Sequence, residues 1–276
     1  MPLRSRFLVV VALLALASLA SLTGRALAAD PSAEFREAVA AIEDGAFGDA
    51  VDRLELLADQ GFVHPDASYN RAIAYLGRAR SPQKQPGDLG RAAQALAETA
   101  RLRPGDPDAE ALLEAVRTEI GRRRARSGGS GLVARPRLGR AIAGLVPEPV
   151  WGGAAALGSL ALAAGIGLRL RKSDALAVPS ALAMGLGALL FVLGATGGLF
   201  ARHFRRTSAP AVVVVEEARL LDASGRPLPQ TSSEGNVVPE GADVLVLERR
   251  AGLARIEWGS AEGWVVAGQV RELAGE

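Results

Sequence analysis

Residues 149–168, PVWGGAAALGSLALAAGIGL, and 175–201, ALAVPSALAMGLGALLFVLGATGGLFA, contain no ionisable side chain. As helices they would reach about 30 and 40 Å, each enough to cross a hydrocarbon core of about 30 Å. Only Arg169-Leu170-Arg171-Lys172-Ser173-Asp174 lies between them, so a tight transmembrane hairpin is expected, with spans 149–168 and 175–201 and a loop at 169–174. A buried hairpin in a soluble protein is the alternative. Charge-free spans argue against an ion or proton pathway. Gly194 and Gly198 form a G-x-x-x-G, and Ala161 and Gly165 a looser small-residue pair, so close helix contact is expected within the hairpin or with a partner. Pro179, near the start of the second span, could kink it.

A third apolar run, Phe7 to Gly24, comes after Arg4 and Arg6 and precedes Ala26-Leu27-Ala28. This is the pattern of a secretory signal peptide over 1–28; an uncleaved signal anchor is the alternative, and both would export the helical repeats beyond it. The net charge of +2 conceals strong segregation: +3 over 1–29, −7 over 30–120, +11 over 121–206 and −5 over 207–276. Basic charge is thus confined to the centre of the chain, and no nucleic-acid-binding domain is needed to explain it. Bases flank both spans, so the positive-inside rule leaves orientation undecided. The exported N-terminus settles the expectation: both flanking domains outside a bacterial inner membrane, in the periplasm, and the 169–174 loop in the cytoplasm.

Residues 29–126 repeat. Asp30-Pro31-Ser32-Ala33-Glu34-Phe35 recurs as His64-Pro65-Asp66-Ala67-Ser68-Tyr69 and as Asp106-Pro107-Asp108-Ala109-Glu110-Ala111. Gly45-Ala46-Phe47-Gly48-Asp49-Ala50 likewise matches Gly87-Asp88-Leu89-Gly90-Arg91-Ala92, and Arg80 to Pro86 reads as an insertion in the second unit. Each unit predicts helix–turn–helix: proline at the first helical position, small residues (Ala38, Ala41, Ala72) for close packing, glycine at the turn, then Ala50, Leu54 and Leu57 or Ala92 and Leu96 at helical spacing. The prolines are spaced by 34 and then 42 residues. A 34-residue period with this turn resembles the tetratricopeptide repeat, which implies an α-solenoid of two repeats and a capping helix from Pro107 to about Ala125. The resemblance implies a protein-binding groove lined by Tyr69, Ile73 and Leu76, with Asn70 where peptide-binding relatives often place an asparagine. Packing roles for Tyr69 and Tyr75, and a capping or solvated Asn70, are the alternative. The acidic balance disfavours anionic partners.

Residues 127–148 form a basic, glycine-containing linker after Arg122, Arg123, Arg124 and Arg126; a flexible tether is expected. From 207 to 276 the texture becomes β, with short β-prone segments around Val212–Val215, Ala218–Leu221, Asp243–Glu248, Leu253–Trp258, Trp264–Ala267 and Val270–Leu273. Turn residues separate them, so a small β-barrel is expected. The Gly263-Trp264-Val265 element and the segments before it resemble bacterial SH3-type domains. Trp258 and Trp264 are candidates for binding peptide or cell-wall muropeptide, although Trp264 reads better as a core residue.

Chemistry is constrained by the residue types the sequence lacks. There is no cysteine, and the two histidines, His64 and His203, lie far apart in sequence, which excludes thiol nucleophiles and leaves no plausible zinc cluster. The acids are expected on solvated helix faces and turns, so neither a catalytic residue set nor a cofactor is expected. The expected fold class is multidomain α plus β: helical repeats, a membrane hairpin and an SH3-like barrel. This order resembles the repeat-containing E component of the Bat aerotolerance operon, a bacterial envelope family, and Gly87 to Ala92 reads like that family's most recognisable repeat. The resemblance implies a non-enzymatic membrane scaffold working with von Willebrand A-domain membrane proteins and a MoxR-type ATPase. A cell-wall sensor or anchor gripping peptidoglycan through the barrel is the alternative.

Overall fold

The computed structural model describes residues 31–126, 146–171, 175, 177–229 and 236–274. The expected signal peptide (1–28) and most of the expected linker (127–148) lie outside them. Five helices come first: α1 (Pro31–Glu43), α2 (Phe47–Asp59), α3 (Pro65–Ala79), α4 (Asp88–Leu102) and α5 (Pro107–Arg126). Each packs on the next in sequence. Pro31, Pro65 and Pro107 each occupy a first helical position, where a missing N–H wastes no bond. Gly45 ends α1 at φ 74°, donating to Ile42 O, while Ala46 donates to Ala41 O; this double closure needs the left-handed residue. Ala38, Ala50, Leu54, Leu57, Ala72, Leu89, Ala92, Leu96 and Val116 form the core between the helices. Most are alanine or leucine, so the helices approach closely with little aromatic filling.

Two long helices come next, α6 (Glu148–Leu170) and α7 (Ala177–Thr207), packed antiparallel. Both are long and apolar enough to cross a membrane, and most of their surface is exposed. Leu157, Leu160, Leu182, Leu186, Leu199 and Phe200 all point outward. The buried positions are Gly158 and Gly165 on α6 with Ser180, Gly187 and Gly194 on α7, spaced seven apart on each helix. A Cβ on Gly187 would lie 2.6 Å from Leu162 N, and one on Gly194 would lie 2.5 Å from Ala155 N. A seven-residue period keeps one small-residue stripe facing the partner helix. Gly194 therefore serves the hairpin itself, whereas a Cβ on Gly198 would meet only Trp151 Cβ at an ordinary 3.6 Å.

α7 runs six residues past the expected end at 201. No glycine or proline stops it, and Thr207 Oγ1 and Ser208 Oγ donate to the carbonyls of His203 (2.8 Å) and Phe204 (2.6 Å), satisfying its last turn. Only Ser208 separates α7 from β1. Pro179 lies in the first turn of α7, where its missing N–H interrupts no internal bond.

The strands are β1 (Ala209–Val213), β2 (Glu217–Arg219), β3 (Val237–Pro239), β4 (Asp243–Arg250), β5 (Leu253–Trp258), β6 (Ala261–Val266) and β7 (Val270–Glu272). Five form an antiparallel sheet in the order β6-β5-β4-β1-β7, and β2 pairs with β3 in a separate ribbon. The sheet does not close into the expected barrel. The outer edge of β6 is met instead by Leu221, whose backbone exchanges bonds with Trp264 (2.7 and 2.9 Å), and the three-residue β7 pairs only with β1. Val213, Leu220, Val238, Val244, Ile256, Trp258 and Val265 fill the space between sheet and ribbon.

Candidate protein-binding site

The helical and β domains share buried surface. Val212 of β1 is 1% exposed and belongs to the helical core, while its neighbours Ala211 and Val213 face the sheet's own core. The seat for β1 is the first turn of α4. Gly87 adopts φ 84° immediately before that helix, and a Cβ there would fall 2.2 Å from Val214 O. A Cβ on Gly90 would fall 2.7 Å from Val213 O. Glu240 reaches into the same gap and accepts the Gly90 N–H at 2.7 Å. A carboxylate there complements the N-terminal end of the helix dipole, yet burial is the larger influence and pushes its pKa up.

A buried polar network crosses the same junction. Arg71 of α3, 3% exposed, donates to Glu98 Oε2 (3.2 Å) and Gln94 Oε1 (3.3 Å) of α4. Ser68 Oγ donates to Glu98 Oε1 at 2.6 Å. Gln94 Nε2 donates at 2.9 Å to Glu98 and at 3.4 Å to the Glu272 carbonyl of β7. On the other side, Tyr75 Oη donates to Glu55 Oε1 at 2.9 Å, and Arg271 of β7 pairs with Glu55. Burial first, then the Glu55 charge, push the Tyr75 hydroxyl well above its ordinary range. β7 is therefore tied twice to the helices, through Glu55 and through Gln94. Arg78 and Asp88 form a separate buried pair, with Nη2 to Oδ1 at 2.6 Å. Exposed bridges from Arg117 to Asp243 and from Arg124 to Glu217 also cross the junction and add little energy.

These acids correct the expectation that the carboxylates lie on solvated faces. Asp88 and Glu98 are 2% and 6% exposed. The available signal is the i, i+4, i+7 spacing of Arg71, Tyr75 and Arg78, which puts all three on the inward stripe of α3. Asp88 and Glu98 each face an arginine, Arg78 and Arg71, an arrangement that suits a structural role. Among the described residues no group of three or more metal-ligating side chains converges.

The residues expected to bind partners do not form one surface. Leu76 is 3% exposed and lies in the helical core; Tyr69 packs partly against that core. Asn70 uses its amide to donate to the Asp66 carbonyl (2.8 Å) of its own helix. Ile73 is half-buried. The tryptophans are reversed from expectation: Trp258 is the core residue, at 3% exposure, and Trp264 is half-buried beside Leu221. Beside the β1 seat lies a polar cavity of about 450 Å³, lined by Asp52, Glu55, Tyr75, Arg91, Val270 and Arg271. Arg91 stands 5.8 Å from the Tyr75 ring centroid and has no ion pair among the described residues.

No family model, curated protein or solved structure matches the chain.

Proposed function

We propose that the protein is a membrane-anchored scaffold, with α6 and α7 as membrane spans and α1–α5 as tetratricopeptide repeats that bind partner proteins. The observation that carries this reading is the seating of β1 on α4. A face of the helical module holds another folded domain through two glycine seats, a shared valine and a buried polar network. A module that grips one protein surface this way has the chemistry to grip others. Its remaining surface offers half-buried Tyr69 and Ile73 on α3 and the polar cavity beside Arg91.

The antiparallel hairpin and the docked domains support a topology in which both flanks lie on one side of a bacterial inner membrane, facing the periplasm. The resemblance in module order supplies the expected partners: von Willebrand A-domain membrane proteins and a MoxR-type ATPase system. Solubilised native membranes should yield such proteins in a pull-down on the full chain, and Ile73→Arg should abolish their recovery while leaving its own melting temperature unchanged. Recovery unaffected by Ile73→Arg and by charge reversal at Arg91 would refute the repeat-face reading. The second reading, a peptidoglycan anchor, is favoured by the partial exposure of Trp264 on the SH3-like sheet. Sedimentation of the solubilised chain with purified peptidoglycan, lost in Trp264→Ala, would establish it.

A further inference from the structure

We infer that the junction of α7 and β1 binds the phosphate headgroup of an anionic phospholipid; the inference rests on α6 and α7 being membrane spans. The apolar run of α7 ends at Ala201, and Arg202, Arg205 and Arg206 come within the next five residues. Arg205 pairs with Glu148 at the start of α6, so the first turn of α6 and the last turns of α7 stand at one level. Phe200 and Phe204 pack there with tilted rings, centroids 6.2 Å apart, and Trp151 lies one turn into α6. An amphipathic tryptophan ring such as Trp151, at the boundary between apolar and basic surface, marks the headgroup depth of a bilayer.

A cavity of about 380 Å³ opens where α7 passes into β1, lined by Arg205, Arg206, Ser208, Leu247, Arg249 and Glu272. The acids around it are matched: Glu272 takes Arg249 at 2.8 Å, Glu148 takes Arg205, and Glu248 faces Arg255 at 3.6 Å. Arg202 and Arg206 are exposed and form no ion pair among the described residues. The C-terminal dipole of α7 offsets only about half a unit charge of this surplus. Two guanidiniums without carboxylates therefore stand where the apolar surface stops. Arginine forks suit phosphate oxygens. One turn below, Leu199 and Phe200 are 71% and 54% exposed, an apolar flank that fits acyl chains and would be idle for a soluble anion. Because only Ser208 intervenes, a lipid held here would also fix the height of the β domain above the bilayer.

Native mass spectrometry of the detergent-solubilised full chain, titrated with phosphatidylglycerol or phosphatidylcholine, tests this. The wild-type chain should retain phosphatidylglycerol preferentially. Arg202→Gln with Arg206→Gln should weaken that retention by roughly thirtyfold, from two arginines at a lipid surface. Arg202→Lys with Arg206→Lys should keep most of the preference, and so should Arg169→Gln with Arg171→Gln at the opposite end of the hairpin. Unchanged retention in the first variant, an equal loss in the last, or displacement of the lipid by inorganic phosphate would overturn the assignment. Carbonate washing separates the two inferences: release of the wild-type chain removes the membrane reading, whereas retention without lipid preference removes only this one.

Discussion

Gly90→Ala should separate the two folded domains while leaving each intact. Gly90 sits in the first turn of α4 with φ outside the left-handed region, so alanine suits its backbone and should favour the helix by up to about 1 kcal/mol. The obstacle lies across the junction. The new Cβ would stand 2.7 Å from Val213 O, well inside an ordinary carbon contact of about 3.5 Å. Val213 cannot simply retreat, because its carbonyl accepts from Gly241 (2.9 Å) and its N–H donates to Ala242 (3.1 Å). Parting the domains forfeits the Gly90–Glu240 bond, about 1.5–3 kcal/mol for a charged acceptor, and the burial of Val212, about 1.5–3 kcal/mol. The helix gain is the same docked or parted, so docking should weaken by up to about 3–6 kcal/mol. Gly48 supplies an internal control. It holds the same repeat position in α2, but a Cβ there would meet only Gln83 Oε1 at 3.7 Å. The chain has no cysteine, so Arg117→Cys with Asp243→Cys and a short bis-maleimide reports docking cleanly. Cross-linking should survive Gly48→Ala and fall sharply in Gly90→Ala. Equal yields in both backgrounds would refute the seat.

Other perturbations probe the same contacts. Burial raises the Glu240 pKa above its unfolded value, so its ionised form opposes docking; docking should strengthen as pH falls through that raised pKa and level off below the unfolded one. Glu240→Gln keeps an acceptor for Gly90 and should flatten this part of the pH profile of cross-linking; a profile identical to wild type would count against it. Arg78→Met strands the buried Asp88 carboxylate and should lower the stability of the helical domain by about 3–5 kcal/mol, against less than about 1 kcal/mol for Arg80→Met at an exposed pair, both read by denaturant titration in detergent. In the hairpin, Gly187→Ile should lower the thermal stability of the solubilised chain markedly, because its Cβ meets Leu162 N at 2.6 Å. Gly185→Ile, which meets nothing within 4 Å, should not.

The elements are legible where one residue type enforces one geometry. Proline at the first helical position locates the starts of α1, α3 and α5, and unbroken apolar runs locate α6 and α7. The features that escape a reading of the sequence depend on contacts between segments far apart along the chain. The Gly87–Ala92 motif reads locally as a repeat turn, and nothing in its spacing reveals that both glycines also receive a strand more than a hundred residues later. β3, only Val237–Pro239, is too short to carry an alternation, and no local pattern reveals that Leu221 meets the outer edge of β6 at Trp264 in place of a closing strand. Trp258 and Trp264 lie in adjacent strands with similar neighbours, so pattern alone does not rank their burial. The end of α7 escapes because arginines end an apolar run without ending a helix.

In the proposed function, two apolar helices hold a docked pair of domains on one side of a membrane. Single cysteines introduced as Arg101→Cys, Ala223→Cys and Arg171→Cys, at exposed positions of the helical domain, the β domain and the hairpin loop, can be labelled in sealed vesicles with a membrane-impermeant maleimide. Positions 101 and 223 should label together from one side, with 171 reached only after the vesicles are opened. Labelling of 101 and 223 from opposite sides, or of all three in intact vesicles, would rule out that arrangement.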